Sequence, residues 1–150
     1  IESFNKMKFC RINLSKTNYE TMVQEHQWQY VSDRQFSEFN DIYEKYCRYK
    51  KFDSVMPIFP NQYTDNSVDI VGYFDNGQLV AWDMIKIHDA KNAEALQFAW
   101  DYINPDLRLG MESLKNACAI YKHRGFKYLY LGAAANYKKE IDGYEELGPV

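Results

Sequence analysis

The sequence predicts a single α+β domain over residues 1–150, and three local patterns carry that prediction. Two β-rich runs, "VDIVGYF" and "LVAWDMIKIH", meet at Asn76–Gly77. A tight hairpin turn needs positive φ at both central residues, and this pair accepts it. In residues 32–52 the residues Phe36, Phe39, Ile42, Tyr43, Tyr46 and Cys47 recur every three or four positions, as on one face of a helix. Residues 93–125 pass from an apolar run through one glycine, Gly110, into a second helical rhythm.

Taken in order, "KMKFCRINL" (residues 6–14) is partly alternating and suits a first strand, whereas residues 15–31 are ambiguous. Ser32 or Asp33 can cap the first helix. Residues 53–67, with Pro57, Pro60 and a cluster of turn formers, read as a long loop of the kind that is often functional. After the hairpin, "AEALQFAWDYI" (residues 93–103) has helical propensity. It is assigned as a strand because it follows a hairpin and ends at Asn104–Pro105. In "MESLKNACAIYKHRG" the residues Met111, Leu114, Ala117, Cys118 and Tyr121 share one helix face, and Gly125 ends the helix. "FKYLYLGAA" is a short buried strand, and residues 136–150 are a brief helix or loop tail.

Composition sets outer bounds. The 150 residues can bury one real core, and 46% hydrophobic with 17% aromatic content excludes a disordered or collagen-like chain. A net charge of −3 supplies no global field for nucleic acid or anionic membrane. Cys10, Cys47 and Cys118 are odd in number and far apart, which reads as reduced, buried thiols in a cytoplasmic protein. His26, His88 and His123 show no metal-ligand spacing, so no metal is expected. No apolar run reaches the ~20 residues that cross a bilayer.

A strand, a glycine and a helix start, in that order, form an anion-binding device, because free N–H groups and the helix dipole both favour phosphate. The run "ALQFAWDYINPDLRLGMESLKNACAIYKHRGFKYLYLGAA" resembles the central strand, pyrophosphate loop, helix and next strand of the GNAT superfamily of N-acetyltransferases. The likeness extends over roughly residues 6–148. It implies a mixed, mainly antiparallel sheet flanked by helices and splayed between the fourth and fifth strands, residues 93–103 and 126–132. It also implies an acyl-CoA, such as acetyl-CoA, whose pyrophosphate sits on loop amides. In the family pattern Q/R-x-x-G-x-G/A, Leu107 stands at the first position and Glu112 at the last, with Arg108 one residue out of register.

At the level of single letters, "DYINPDLRLGMESLKNA" and "KYLYLGAAANYKKEIDGYE" are similar to the arginyl- and leucyl-transferases, the aminoacyl-tRNA–protein branch of the same fold. Pro105, Leu107, Leu109, Gly110, Ser113, Tyr128, Tyr130, Leu131, Gly132, Tyr137 and Lys138 carry that likeness. The segment between Gly132 and Tyr137 is shorter than in those enzymes.

These resemblances imply an N-acyltransferase that moves an acyl group from acyl-CoA to a primary amine. The alternatives are an aminoacyl-tRNA-dependent transferase and a non-catalytic binding module. The expected partners are an acyl-CoA and a small-molecule or protein amine, with no membrane, no nucleic acid except tRNA under the alternative, and a homodimer left open. Tyr102, Arg108, Leu109, Gly110, Met111, Glu112, Ser113, Asn136 and Lys138 are the expected donor-binding residues. Tyr137 is the expected acid for the leaving group, with Tyr144 second. The base is expected from Asp101 or Glu94, with Asp83 and His88 as further candidates on the hairpin. Asp101 stands out because it interrupts the apolar run "FAWDYI".

Overall fold

The structure, a computed structural model, describes residues 8–31, 36–51 and 65–148. Along the chain lie β1 (Phe9–Asn13), β2 (Trp28–Tyr30), α1 (Phe36–Lys50), β3 (Val68–Asp75), β4 (Gln78–Ile87) and β5 (Asn92–Trp100). They are followed by α2 (Leu109–His123), β6 (Tyr128–Ala133) and β7 (Tyr144–Leu147). Among the described residues the strands form one sheet in the order β2-β3-β4-β5-β6-β1-β7, antiparallel throughout except for the β5–β6 pair.

The hairpin forms as its turn residues dictate: Asn76 and Gly77 have φ of 51° and 78°. Because side chains alternate along a strand, β4 sends Trp82 and Met84 to one face and Ala81, Asp83 and Ile85 to the other. Helix α1 covers the first face with Phe39, Ile42, Tyr43 and Cys47, packed on Ile70, Trp82, Met84 and Ala99. Trp82 also donates its indole N–H to the Phe39 carbonyl at 3.0 Å. Burying such a side chain contributes about 1.5–3 kcal/mol, which holds a helix that would be marginal alone. Helix α2 covers the opposite face through Ala117, Cys118, Ile120 and Tyr121, which join Val71, Tyr73, Ile85 and Leu129. All three cysteines are buried free thiols.

The β5–β6 pair is short. Only Asn92, Ala93 and Glu94 pair with Tyr128, Leu129 and Tyr130, and beyond them the strands diverge. Each strand carries an extra residue near that point. Met84 and Ile85 face Gln97 and Ala95, which leaves Leu96 over on β5; Arg11 and Cys10 face Tyr130 and Gly132, which leaves Leu131 over on β6. Such bulges bend a strand and increase its twist, so two adjacent ones open the sheet. This is the expected splay, with the extra strand β2 shifting the two strands from fourth and fifth to fifth and sixth.

Three expectations change. The tail at residues 136–150 contains a 3₁₀ turn, Asn136–Glu140, and then β7, which pairs with β1 from Phe9↔Leu147 to Ile12↔Tyr144. The strand expected over residues 93–103 ends at Trp100. Finally, α2 begins at Leu109, so Gly110 lies inside its first turn and not in a loop before it.

Candidate functional site

The cleft between the diverging strands is about 270 Å³ in volume. Its walls come from four elements: Ala95, Leu96, Gln97 and Phe98 of β5, Leu129 and Leu131 of β6, the first turns of α2 at Gly110, Ser113 and Leu114, and Tyr46 of α1. Asp83, Ala117, Tyr137 and Lys138 complete the lining.

The approach to α2 is built by residues 104–108. Asn104 caps a 3₁₀ turn, Pro105–Leu107, by accepting the Asp106 N–H on its side-chain oxygen at 3.2 Å. The chain then reverses at Arg108, which takes the left-handed conformation (φ 48°, ψ 43°). That is where glycine would be expected, yet Gly110 has no positive φ. A Cβ at Gly110 would meet nothing within 4 Å, so its missing side chain leaves open space beside the cleft. The Arg108 carbonyl accepts the N–H groups of Met111 and Glu112 at 3.1 and 3.0 Å. Among the described residues the amides of Leu109 and Gly110 have no acceptor, as expected for a helix N-terminus.

Helix α2 is held firmly against the sheet. The Tyr73 hydroxyl donates to the Ser113 carbonyl at 3.1 Å and accepts from Asn116 Nδ2 at 3.3 Å, while Asn116 Oδ1 accepts the Met22 N–H at 2.8 Å. These groups are satisfied by one another and fix the helix start relative to β3.

The structure separates the expected acids and bases. Glu94 is 2.8 Å from His88 Nε2, on a recess shared with Cys10 and Tyr130 rather than on the cleft. Asp101, just past β5, lies 3.5 Å from Lys45 Nζ of α1 and also is not a cleft residue. Glu112 faces a third recess with Asp106, Asp75 and His26, away from the cleft. Tyr102 stacks on Tyr49 at 3.7 Å between ring centroids and meets Trp100 at 3.9 Å with the rings tilted by 41°. Asn136 begins the 3₁₀ turn that carries Tyr137 and Lys138 into the cleft.

Tyr137 is half exposed, and its phenol is held above its ordinary value, first by burial of its hydroxyl end and then by Cys10, Asp83 and Tyr102. Burial lowers Lys138, whose ammonium donates to the carbonyls of Leu131 at 2.9 Å and Ala133 at 2.7 Å. Tyr144, the second acid candidate, donates to Glu146 Oε1 at 3.3 Å on β7.

The dominant ionisable group of the cleft is Asp83, only a secondary candidate on sequence grounds. It is 5% exposed, and its carboxyl has no hydrogen-bond partner among the described residues. Burial alone pushes its carboxyl up to about 8. The available signal was the same one that drew attention to Asp101: a carboxylate inside an apolar run, "LVAWDMIKI". Tyr46, Leu96 and Gln97 had no sequence signal, because the bulge and splay bring them together.

No family model and no curated protein matches the sequence. The fold does match solved structures. N-myristoyltransferase from Saccharomyces cerevisiae, solved with bound myristoyl-CoA, superposes with a TM-score of 0.62 at 8% identity over 86% of this chain and 42% of that one. A proposed acetyltransferase of the GNAT family from Novosphingobium aromaticivorans gives 0.63 at 12% identity over 95% and 60%. A GCN5-related N-acetyltransferase from Kribbella flavida gives 0.54 at 16% identity over 93% and 54%. The chain therefore spans less than two thirds of each of these proteins. It has the GNAT fold.

Proposed function

We propose that this GNAT-fold chain is an N-acyltransferase that moves an acyl group, most simply acetyl, from an acyl-CoA to a primary amine. The single observation behind this reading is the cleft opened where β5 and β6 diverge beyond Glu94, with Gly110, whose amide is free, on its lining. The solved structures of this fold, one of them with myristoyl-CoA bound, support the same reading.

In this proposal the pyrophosphate lies against the start of α2, where the dipole and the two free amides favour an anion. Leu109, Gly110, Met111 and Ser113 form that seat, with Arg108 at its rim. Glu112, on the other side of the turn, stays out of the way of the phosphates. The pantetheine arm runs into the cleft, where the unpaired β5 backbone beyond Glu94 offers it hydrogen bonds as an adjacent strand would. Transfer from a thioester is then largely a matter of position. The amine nitrogen bonds to the acyl carbon, the carbon–sulfur bond breaks, and Tyr137 protonates the departing sulfur. Asn136 and Lys138 brace Tyr137, and Tyr102 closes the aromatic wall around Tyr46 and Phe98. The loop at residues 53–67, of the kind that is often functional, lies outside the described residues over 53–64.

Calorimetric titration and thermal shift with acetyl-CoA test the reading, with an aminoacylated tRNA as a second arm. Binding and a raised Tm with acetyl-CoA alone are expected. Protection by the charged tRNA alone would move the donor to an aminoacyl ester, and protection by neither would leave a binding module without this chemistry.

A further inference from the structure

We infer that Asp83 receives the acceptor's amine nitrogen in the cleft, so that the acceptor is a primary amine that enters as a cation and hands its proton to this carboxylate. The inference rests on the acyltransferase reading and names the acceptor's chemistry and the group that activates it.

The geometry is specific. Asp83 stands on β4 on the α2 face of the sheet, opposite Phe98 in the β4–β5 register and opposite Val71 in the β3–β4 register. Its carboxyl lines the cleft from the buried side, while Tyr137 lines it from the more exposed side. A buried carboxyl without a partner is costly, and such groups are normally paired or satisfied by hydrogen bonds. Among the described residues, the groups that face Asp83 cannot pair with it as cations. They are Tyr73 from β3, Cys118 from α2 and Tyr137 from the 3₁₀ turn, and all three are raised by burial and by Asp83 itself. Cys118 is pushed up to about 12. Lys138, the one cation of the lining among the described residues, donates its ammonium protons to the carbonyls of Leu131 and Ala133. The rings of Tyr46, Phe98 and Tyr137 add aromatic lining to the cleft.

An alkylammonium therefore completes the site electrostatically. Once it is inside, the low dielectric disfavours the ion pair against the neutral pair, and the proton moves from nitrogen to carboxylate. The result is a neutral amine, the form that attacks a thioester. The balance closes with two protons leaving nitrogen. One goes to Asp83 and then to solvent with product release. The other reaches the sulfur, with the Tyr137 phenol giving a proton to the departing thiolate and regaining one as the new carbon–nitrogen bond settles into an amide.

The test uses the whole chain, with acetyl-CoA as donor and propylamine, hexylamine and the matched alcohols as probes. Thiol release reports transfer, and Tm reports binding. With acetyl-CoA present, the amines but not the alcohols are expected to raise the wild-type Tm. The Asp83→Asn variant, which keeps size and removes the charge, is expected to lose that amine-specific rise. Its amine-dependent thiol release should fall about 10²–10⁴-fold, and the limb near pH 8 in the rate profile should vanish. Its acetyl-CoA affinity should stay within twofold of wild type. Asp83→Ser is the second variant, should the amide fail to fold. Wild-type thiol release and an unchanged pH profile in either variant would overturn the assignment, as would acetyl-CoA binding with no response to any amine in the wild type. Absence of acetyl-CoA binding in the wild type would instead bring down the acyltransferase reading beneath it.

Discussion

The ammonium of Lys138 stands 2.9 Å from the carbonyl oxygen of Leu131, the extra residue of the β6 bulge. The lysine thus satisfies β6 carbonyls that the opening of the sheet leaves without a strand partner. Removing it in Lys138→Met strands the Leu131 carbonyl, leaves Ala133 only the Cys10 thiol at 3.8 Å, and is expected to cost about 1–3 kcal/mol in denaturant unfolding. Acetyl-CoA affinity should hold or improve, because those carbonyls become free for the pantetheine amides. A tenfold loss of affinity would put the ammonium on the phosphates instead.

Tyr137→Phe removes one hydroxyl at nearly constant volume. Stopped-flow thiol release should fall about 10²–10⁴-fold in kcat, with the acetyl-CoA Kd unchanged. Wild-type turnover would transfer the acid role to Tyr144 or to water.

Gly110 and Arg108 make opposite predictions. Nothing lies within 4 Å of a Cβ at Gly110, so Gly110→Trp should fold and project its indole toward the cleft. Calorimetry should then show no acetyl-CoA binding, and unchanged affinity would exclude the proposed phosphate seat. At Arg108 the left-handed backbone costs an L-residue about 1–2 kcal/mol. Arg108→Gly should therefore raise stability by about 1 kcal/mol in chemical denaturation, with the helix start unchanged.

Asp83 gives the protein a specific pH dependence. Its carboxyl is raised in the folded state to about 8, far above its value of 3.8 in the unfolded chain, so the folded state binds the extra proton. Its contribution to stability is complete below about pH 4 and is lost as the pH rises through 8. The loss is on the order of several kcal/mol by the linkage relation. Melting temperatures should fall from pH 5 to about pH 8 for the wild type, level off above it, and stay flat in Asp83→Asn over the same range. Parallel curves would mean that the carboxyl is already ionised in the fold.

Local chemistry alone determined much of this protein. The hairpin at Asn76–Gly77 and the buried face of α1 follow from turn preferences and hydrophobic period, which are properties of neighbouring residues, whereas β5, helical by propensity, was assigned as a strand from its place after the hairpin and before Asn104–Pro105. The strand-to-helix junction was legible for the same reason, although its left-handed residue proved to be Arg108, because the capped 3₁₀ turn at Pro105 sets where the chain reverses. Tertiary structure decided the site. Glu94 and Asp101 are seven positions apart on one extended segment, so they cannot converge, and each finds a partner elsewhere, Glu94 in the His88 ring and Asp101 in Lys45. Asp83 and Tyr137 are 54 positions apart in sequence, yet they line one cleft, because the bulges at Leu96 and Leu131 separate β5 from β6, which would otherwise close over it. A bulge depends on the register between strands distant in sequence, and no local pattern encodes that register.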